Sequence, residues 1–422
     1  MFAVDDPVDV KYTIHRSLRH AHPYRFDYTA VAKRRWFGRT ILDVYCKEFL
    51  AYSKEYFKKA IETGRITVNG EPVDTSYVLK NGDSLKHSVH RHEPPVSAAP
   101  VSVSHEDDGV VVVSKPASLP MHPCGRYRHN SLLYILGKDR KQGLYMVHRL
   151  DRLTSGLVLL CKTPQKASEL ASQIRSNKVT KVYLARVLGR FPDGDENGVV
   201  VADAPIACQD KRIGRQVCGE AAVEIAKKFA RSKEGETELK RAKWETILKE
   251  SQTVFKRVHF DGYSSVVECT PKTGRTHQIR VHLQWLGFPI ANDPCYGGRM
   301  FTSNALPSRG GLPADAKISC CDPKSSSVGN PSLHVSGFPE CLSSIVTSSF
   351  DPLCSECREG SYWNHENRHC SHIWLHALRY SGDDWSYSVS PPEWAEEGFD
   401  SRLACSSELQ HDPDSILKRR DT

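Results

Sequence analysis

The chemistry most legible in this chain lies in nine contiguous residues, His148-Arg149-Leu150-Asp151-Arg152-Leu153-Thr154-Ser155-Gly156. A carboxylate stands between two arginines, in a segment with Thr, Ser and Gly, just ahead of the apolar run Leu157-Val158-Leu159-Leu160. Two neighbouring cations favour the ionised form of Asp151 and hold it ready as a nucleophile or a base. The plain alternative is a turn aspartate bonded to its own backbone, the commoner fate of a lone Asp. Two later strings carry groups of complementary kinds. Lys181-Val182-Tyr183-Leu184-Ala185 holds a tyrosine that, on the plain reading, is a half-buried strand residue. Thr273-Gly274-Arg275-Thr276-His277-Gln278-Ile279-Arg280-Val281-His282 leads into a short helix, since Ile279, Leu283 and Leu286 recur at i, i+4 and i+7 before Gly287. Arg280 then falls in the N-terminal half, where the helix dipole disfavours a cation unless a carboxylate offsets it.

The first string resembles the signature of RluA-type RNA pseudouridine synthases, and the other two resemble that family's later motifs in the same order. The resemblance implies that Asp151 is the family's invariant aspartate. It makes Arg149 the base-flipping arginine that takes the place of the extruded uracil. Tyr183 becomes the tyrosine that stacks under the target base and can remove a proton, and Arg280 the partner of Asp151. His148, Arg152, Thr154, Arg275 and His277 are the accompanying RNA-facing candidates. Ser114-Lys115-Pro116, followed by Met121-His122-Pro123, resembles the family's first block. Relatives often place a glycine after Lys-Pro, where this chain has Ala117-Ser118. The likeness resumes at Leu375-His376-Ala377.

The implied reaction isomerises uridine to pseudouridine in structured RNA, with tRNA favoured and rRNA or mRNA as other substrates. No cofactor is required, because substrate and product are isomers. Attack by Asp151 on the uracil ring, attack on the ribose C1′, and glycal formation all remain open. Chemistry on a base requires taking it out of the stack, and single-stranded loops are the cheapest RNA to open. The competing reading is a catalytically inactive RNA-binding scaffold or chaperone, which the intact set of Asp151, Tyr183 and Arg280 disfavours.

Such groups need a scaffold to hold them. Val110 to Val113 and Leu157 to Leu160 read as buried strands, while Lys181 to Leu188 alternates, with Tyr183, Ala185 and Val187 on one face. Ser264 to Thr270 and the apolar stretch Ile373 to Tyr380 complete an α+β, mixed-sheet catalytic domain. Ahead of it, Ile41, Leu42, Tyr45, Phe49 and Leu50 mark one helix and Tyr56, Phe57, Ala60 and Ile61 a second, stopped by Gly64. Ile66 to Val68, the Asn69-Gly70 turn and Asn81-Gly82-Asp83 then indicate a hairpin. This order resembles the S4 RNA-binding module. Between Lys33 and His92 lie twelve lysines and arginines against seven acids, so the positive excess falls on this segment, with Arg39 and Arg65 as its RNA-facing candidates. The expected boundaries are an irregular arm over 1–35, the S4-like module over 36–95 and the catalytic domain over 96–400. A flexible insertion is expected at about 301–350, a charged excursion over 225–243 and a polar tail over 401–422. With the Asp-Pro-Leu-Cys stretch at 351–354, the chain looks most like the family's eukaryotic branch.

Composition is consistent with that picture. The net charge of +8 suits a polyanionic partner, and 39% hydrophobic residues support a sizeable core. No apolar run approaches the ~20 residues that span a bilayer, and Asp5, Asp6 and Asp9 argue against a transit peptide. Fourteen cysteines are expected as reduced thiols. The expectation is a soluble intracellular protein, in cytoplasm or nucleus ahead of mitochondrion, with no obligate protein partner. Cys354-x-x-Cys357, with His365, His369, Cys370 and His372 downstream, has the residue types of a tetrahedral zinc site. A lone C-x-x-C is a weak signal and the second set is irregular, so the sequence reading assigns no metal.

Overall fold

The computed structural model describes residues 10–401, except 16, 50–51, 139–142, 212–213, 232–246, 299–350, 353, 355, 358–371 and 400. The chain divides into two compact units. One holds residues 9–95 together with 317–369, and the other holds 96–316 and 370–422 with the first eight residues. The insertion expected at 301–350, the tail from 402 and most of the charged stretch (232–246) lie outside the described residues.

The smaller unit begins with strands β1 (Tyr12–His15), β2 (Leu18–Ala21) and β3 (Tyr24–Val31). An irregular arm was the expectation here, and the structure corrects it. Tyr24, Phe26 and Tyr28 alternate with Arg25, Asp27 and Thr29, a period of two that pairs β3 antiparallel with β6 (Ser84–Arg91) from Tyr24↔Arg91 to Val31↔Ser84. The Arg91 guanidinium lies 5.3 Å from the Phe26 ring centre. Helices α1 (Ile41–Glu48) and α2 (Lys54–Glu62) are capped by Thr40 and Ser53, whose hydroxyls accept from the amides of Asp43 and Tyr56. Their apolar faces bury Ile41, Val44, Phe57 and Ile61 against Trp36, Ile66 and Leu85. Gly64, at φ +67°, ends α2 and turns the chain into β4 (Ile66–Val68), and Asn69-Gly70 closes the hairpin to β5 (Glu71–Pro72).

The larger unit carries β7 (Val96–Ser97), β8 (Ser102–Glu106), β9 (Val110–Lys115), α3 (Leu132–Lys138), β10 (Tyr145–Met146), β11 (Ser155–Cys161) and α4 (Pro164–Arg175). It continues with β12 (Thr180–Leu188), β13 (Val200–Asp203), β14 (Ile206–Asp210), β15 (Arg215–Cys218) and α5 (Glu220–Arg231). It closes with β16 (Gln252–Phe260), β17 (Ser264–Pro271), α6 (Gln278–Trp285), β18 (Leu375–Ser381) and β19 (Ser386–Ser388). The main sheet runs β13-β16-β17-β12-β18-β11-β9-β8, antiparallel except where β11 and β18 lie parallel. The charged excursion thus starts as a regular helix, α5.

The two apolar runs expected as buried strands are β9 and β11, where Val110 to Val113 and Leu157 to Leu160 are at most 3% exposed. They pair side by side and form the core of one half of the sheet. Ile279 and Leu283 of α6 are buried against Val187, Phe255 and Val267 on the other half. Among the described residues, no helix is long and apolar enough to cross a membrane.

Candidate active site

Two sheet positions bring the motifs together. β18 is hydrogen-bonded to β11 on one side and β12 on the other, so the loop before β11 and Tyr183 on β12 converge across it. Gly156 permits the close approach: its φ is +110°, and a Cβ there would meet the Ala377 carbonyl oxygen at 2.2 Å. Lys115, fully buried at the end of β9, donates to the carbonyls of Pro116, Leu119 and Arg152 at 3.0, 2.8 and 3.3 Å. It thereby ties the first motif to the residue after Asp151. Burial holds its ammonium down to about 7, with Asp151 opposing that effect. Ser118, where a glycine was noted as missing, adopts φ +68°, and its hydroxyl accepts from the Ser97 amide at 2.6 Å. The turn survives with a non-glycine residue in the left-handed region.

A cavity of about 260 Å³ opens on Asp151. Arg149, Thr154, Tyr183, His277 and Arg280 share its wall with Lys181 and Tyr380. Arg280 Nη1 donates to Asp151 Oδ2 at 3.1 Å, and His277 Nε2 lies 3.5 Å from the same oxygen. Among the described residues, no hydrogen bond is made to Oδ1. The Asp151 side chain keeps 30% exposure. One carboxylate oxygen is held on a partly exposed side chain at the cavity wall, an arrangement compatible with a nucleophile.

Arg280 has a stronger partner than Asp151. Its Nε and Nη2 grip Asp293 Oδ2 and Oδ1 at 2.6 and 2.9 Å, and the side chains are 6% and 0% exposed. Burial alone would lower the guanidinium, but the Asp293 and Asp151 carboxylates outweigh it and hold Arg280 well above its ordinary value. A fork clamped by two parallel bonds cannot rotate freely, so Asp293 aims the remaining nitrogen at Asp151. Gln278 organises the loop ahead of the helix by accepting from Thr273 Oγ1 and the Arg275 amide at 2.7 and 2.9 Å.

Tyr183 shares a short hydroxyl–hydroxyl hydrogen bond with Tyr380. Burial pushes Tyr183 up to about 12, with Asp151 adding to the rise, so it is a neutral phenol at physiological pH.

Residues 109–285 match the model of the family described as RNA pseudouridylate synthase, and residues 42–85 match the S4 domain. The mouse pseudouridylate synthase RPUSD2 is 34% identical over 94% of this chain and 75% of its own length. Yeast mitochondrial tRNA pseudouridine(32) synthase is 36% identical over 90% of this chain and 77% of that protein. Rice RNA pseudouridine synthase 7 is 35% identical over 91% and 92%. The chain belongs to the RNA pseudouridylate synthase family. It is an isomerase whose mixed-sheet catalytic domain follows an S4 domain, and RNA is its partner.

Within the synthase the sequence-assigned residues have different fates. Asp151, Arg280, Tyr183, Arg149, Thr154, Arg275 and His277 all reach the cavity wall, with Arg149 exposed. Arg275 also donates to the Glu250 carbonyl at 3.0 Å. His277 is lowered by burial despite Asp151, and its Nδ1 lies 2.8 Å from the Tyr296 hydroxyl. His148 reaches the wall too, but its Nε2 accepts from the Leu159 amide at 3.0 Å. Burial holds that ring down to about 3, so it is a neutral structural group more than an RNA contact. Arg152 turns towards Tyr127, 5.6 Å from its ring centre. The cation in contact with Asp151 is therefore Arg280, not its sequence neighbours.

In the S4 domain, Arg65, an RNA-facing candidate from sequence, grips the buried Asp351 through bonds of 2.6 and 2.8 Å. Arg39 is held by Asp43 at 2.8 Å and Glu48 at 3.7 Å. Asp293 and Tyr380 were missed. A lone Asp before Pro294 looks like any turn residue, and Tyr380 like one more apolar strand position.

Proposed function

We propose that Asp151 supplies the reacting carboxylate for isomerising a uridine in a loop of tRNA. The observation that carries this is the environment of Asp151 at the cavity wall, its Oδ2 held by Arg280, its Oδ1 without a hydrogen bond among the described residues, and its side chain 30% exposed. Arg149 lines the cavity and is exposed, which supports a role in filling the gap left by an extruded base. Tyr183, kept neutral, forms a flat wall for the uracil while its N1–C1′ bond breaks and a C5–C1′ bond forms, C5 then losing its proton and N1 gaining one. A phenol with a value near 12 is a weak candidate for taking the C5 proton, so its part is to stack and orient. tRNA is favoured because two relatives, the yeast pseudouridine(32) and pseudouridine(31) synthases, are named for it.

The test is tritium release from tRNA carrying 5-tritiated uridine, with filter binding in parallel. The wild-type protein should release tritium. Asp151→Asn should bind the same tRNA within about twofold and release none, because the amide keeps the shape and loses the charge. Turnover by the Asn variant would overturn the role of Asp151.

A further inference from the structure

We infer that the unit containing the S4 domain holds a structural zinc ion, ligated by His90, His92, Cys354 and Cys357. The donor atoms of these four residues lie within 4.8 Å of one another. The Cys357 sulfur is 3.2 Å from His92 Nε2 and 3.4 Å from His90 Nδ1. Zinc bonds of about 2.3 Å to sulfur and 2.0–2.1 Å to nitrogen give tetrahedral edges of roughly 3.3–3.8 Å. The two sulfur–nitrogen edges already approach that range, and the widest separation needs to shorten by about 1 Å.

The chemistry of the set is complete. Two thiolates neutralise a divalent cation, and two neutral imidazoles add no charge, so the ligated centre is uncharged and suited to burial. His90, His92 and Cys357 are 9%, 9% and 4% exposed, so the cluster is not a chance meeting of surface groups. Four ligands leave no open position, which makes the site structural.

The backbone is built to present these atoms. His90 lies in the last two residues of β6 and His92 one residue past its end, and the two-residue spacing brings both rings to Cys357. On the other segment the Cys354 amide donates to the Asp351 carbonyl at 3.0 Å, and the sulfurs of Cys354 and Cys357 lie within 4.8 Å of the two imidazole donors. Arg65 fixes Asp351 by its two bonds. Zinc would then fasten 351–357 to the strand that β3 and β4 flank. The ligands differ from those considered from sequence. His372 sits instead by Asn292, at 3.4 Å, and His365, His369 and Cys370 lie outside the described residues.

The experiment uses the full-length protein purified under reducing conditions without added metal. Elemental analysis should find about one zinc per chain, and the Cys354→Ser/Cys357→Ser variant should lose it. Because that variant risks unfolding, the unaltered chain is also stripped of metal and titrated with cobalt(II). A tetrahedral site with two thiolates should give intense visible ligand-field bands and near-ultraviolet sulfur-to-cobalt charge transfer, and zinc should bleach both. Chelation should lower the unfolding temperature, and zinc should restore it. A metal-free protein whose cobalt titration shows no thiolate charge transfer would overturn the proposal. So would a Cys354–Cys357 disulfide in the reduced preparation, or a folded double-serine variant that keeps its zinc.

Discussion

Replacing Arg280 with methionine separates what this arginine does for catalysis from what it does for the fold. The side chain makes two bonds to the fully buried Asp293 and one to the partly exposed Asp151. Arg280→Met therefore strands two carboxylates of unequal kind. Asp151 can turn to water in the cavity, whereas Asp293 cannot. Removing one partner of a buried pair costs about 3–5 kcal/mol. Protonation sets a ceiling, since neutralising an ordinary carboxylate at pH 7 takes about 4 kcal/mol. A loss of ~3–4 kcal/mol is expected, against a total stability of about 5–15 kcal/mol for a typical domain. Adding Asp293→Asn to the methionine variant removes the stranded buried charge and should return about 2 kcal/mol, the remainder reflecting an imperfectly bonded amide. Activity should not return with it, because Asp151 Oδ2 still lacks its donor. Arg280→Lys keeps a cation between the carboxylates but loses the fork, so it should retain measurable turnover. Urea unfolding gives the stabilities, and single-turnover rates on bound tRNA isolate the chemical step. The reasoning is refuted if the methionine variant unfolds within 1 kcal/mol of wild type. It is equally refuted if the double variant regains the wild-type single-turnover rate.

Other consequences follow from the same geometry. Gly156→Ala forces a Cβ to within 2.2 Å of the Ala377 carbonyl, so it should destabilise the protein by several kcal/mol; an unchanged melting temperature would show that β11 and β18 are not so close. Burial holds His148 at about 3 and His376 at about 4, below the ordinary histidine value near 6.5. Their folded-state values are depressed, so the stability they contribute is complete above pH 6.5 and falls as pH drops towards 4, by up to about 2.7 kcal/mol per pH unit for the pair. Denaturant midpoints that stay flat from pH 7 to pH 5 would contradict this. On α2, Lys54, Lys58 and Lys59 are exposed. If they meet phosphate, changing all three to Ala should reduce the slope of log affinity against log salt by up to about 0.9 for each, and an unchanged slope places the RNA elsewhere.

Much of this protein is written locally. The string from His148 to Gly156 contains its own carboxylate, turn residues and following strand, and the later motifs were legible through their resemblance to the family's. The helices of the S4 domain were legible because 3.6-residue periodicity and the stop at Gly64 act within a few residues of one another. The strands over 12–31 escaped because an aromatic–polar alternation means little until β6 supplies its partner sixty residues later. Charge pairing was the least legible. The resemblance named Arg280 as the partner of Asp151 and the contact is there at 3.1 Å, whereas sequence adjacency alone pointed to Arg149 and Arg152. Arg280 in turn is aimed by Asp293, and Arg65 is taken up by Asp351, 286 positions away. Such pairs carry no local signature, because a buried ion pair depends on which elements the fold packs together and on how little water is left between them. The sequence determined which groups are available for reaction; the tertiary structure decided which are charged, which are held, and which oxygen of Asp151 Arg280 grips.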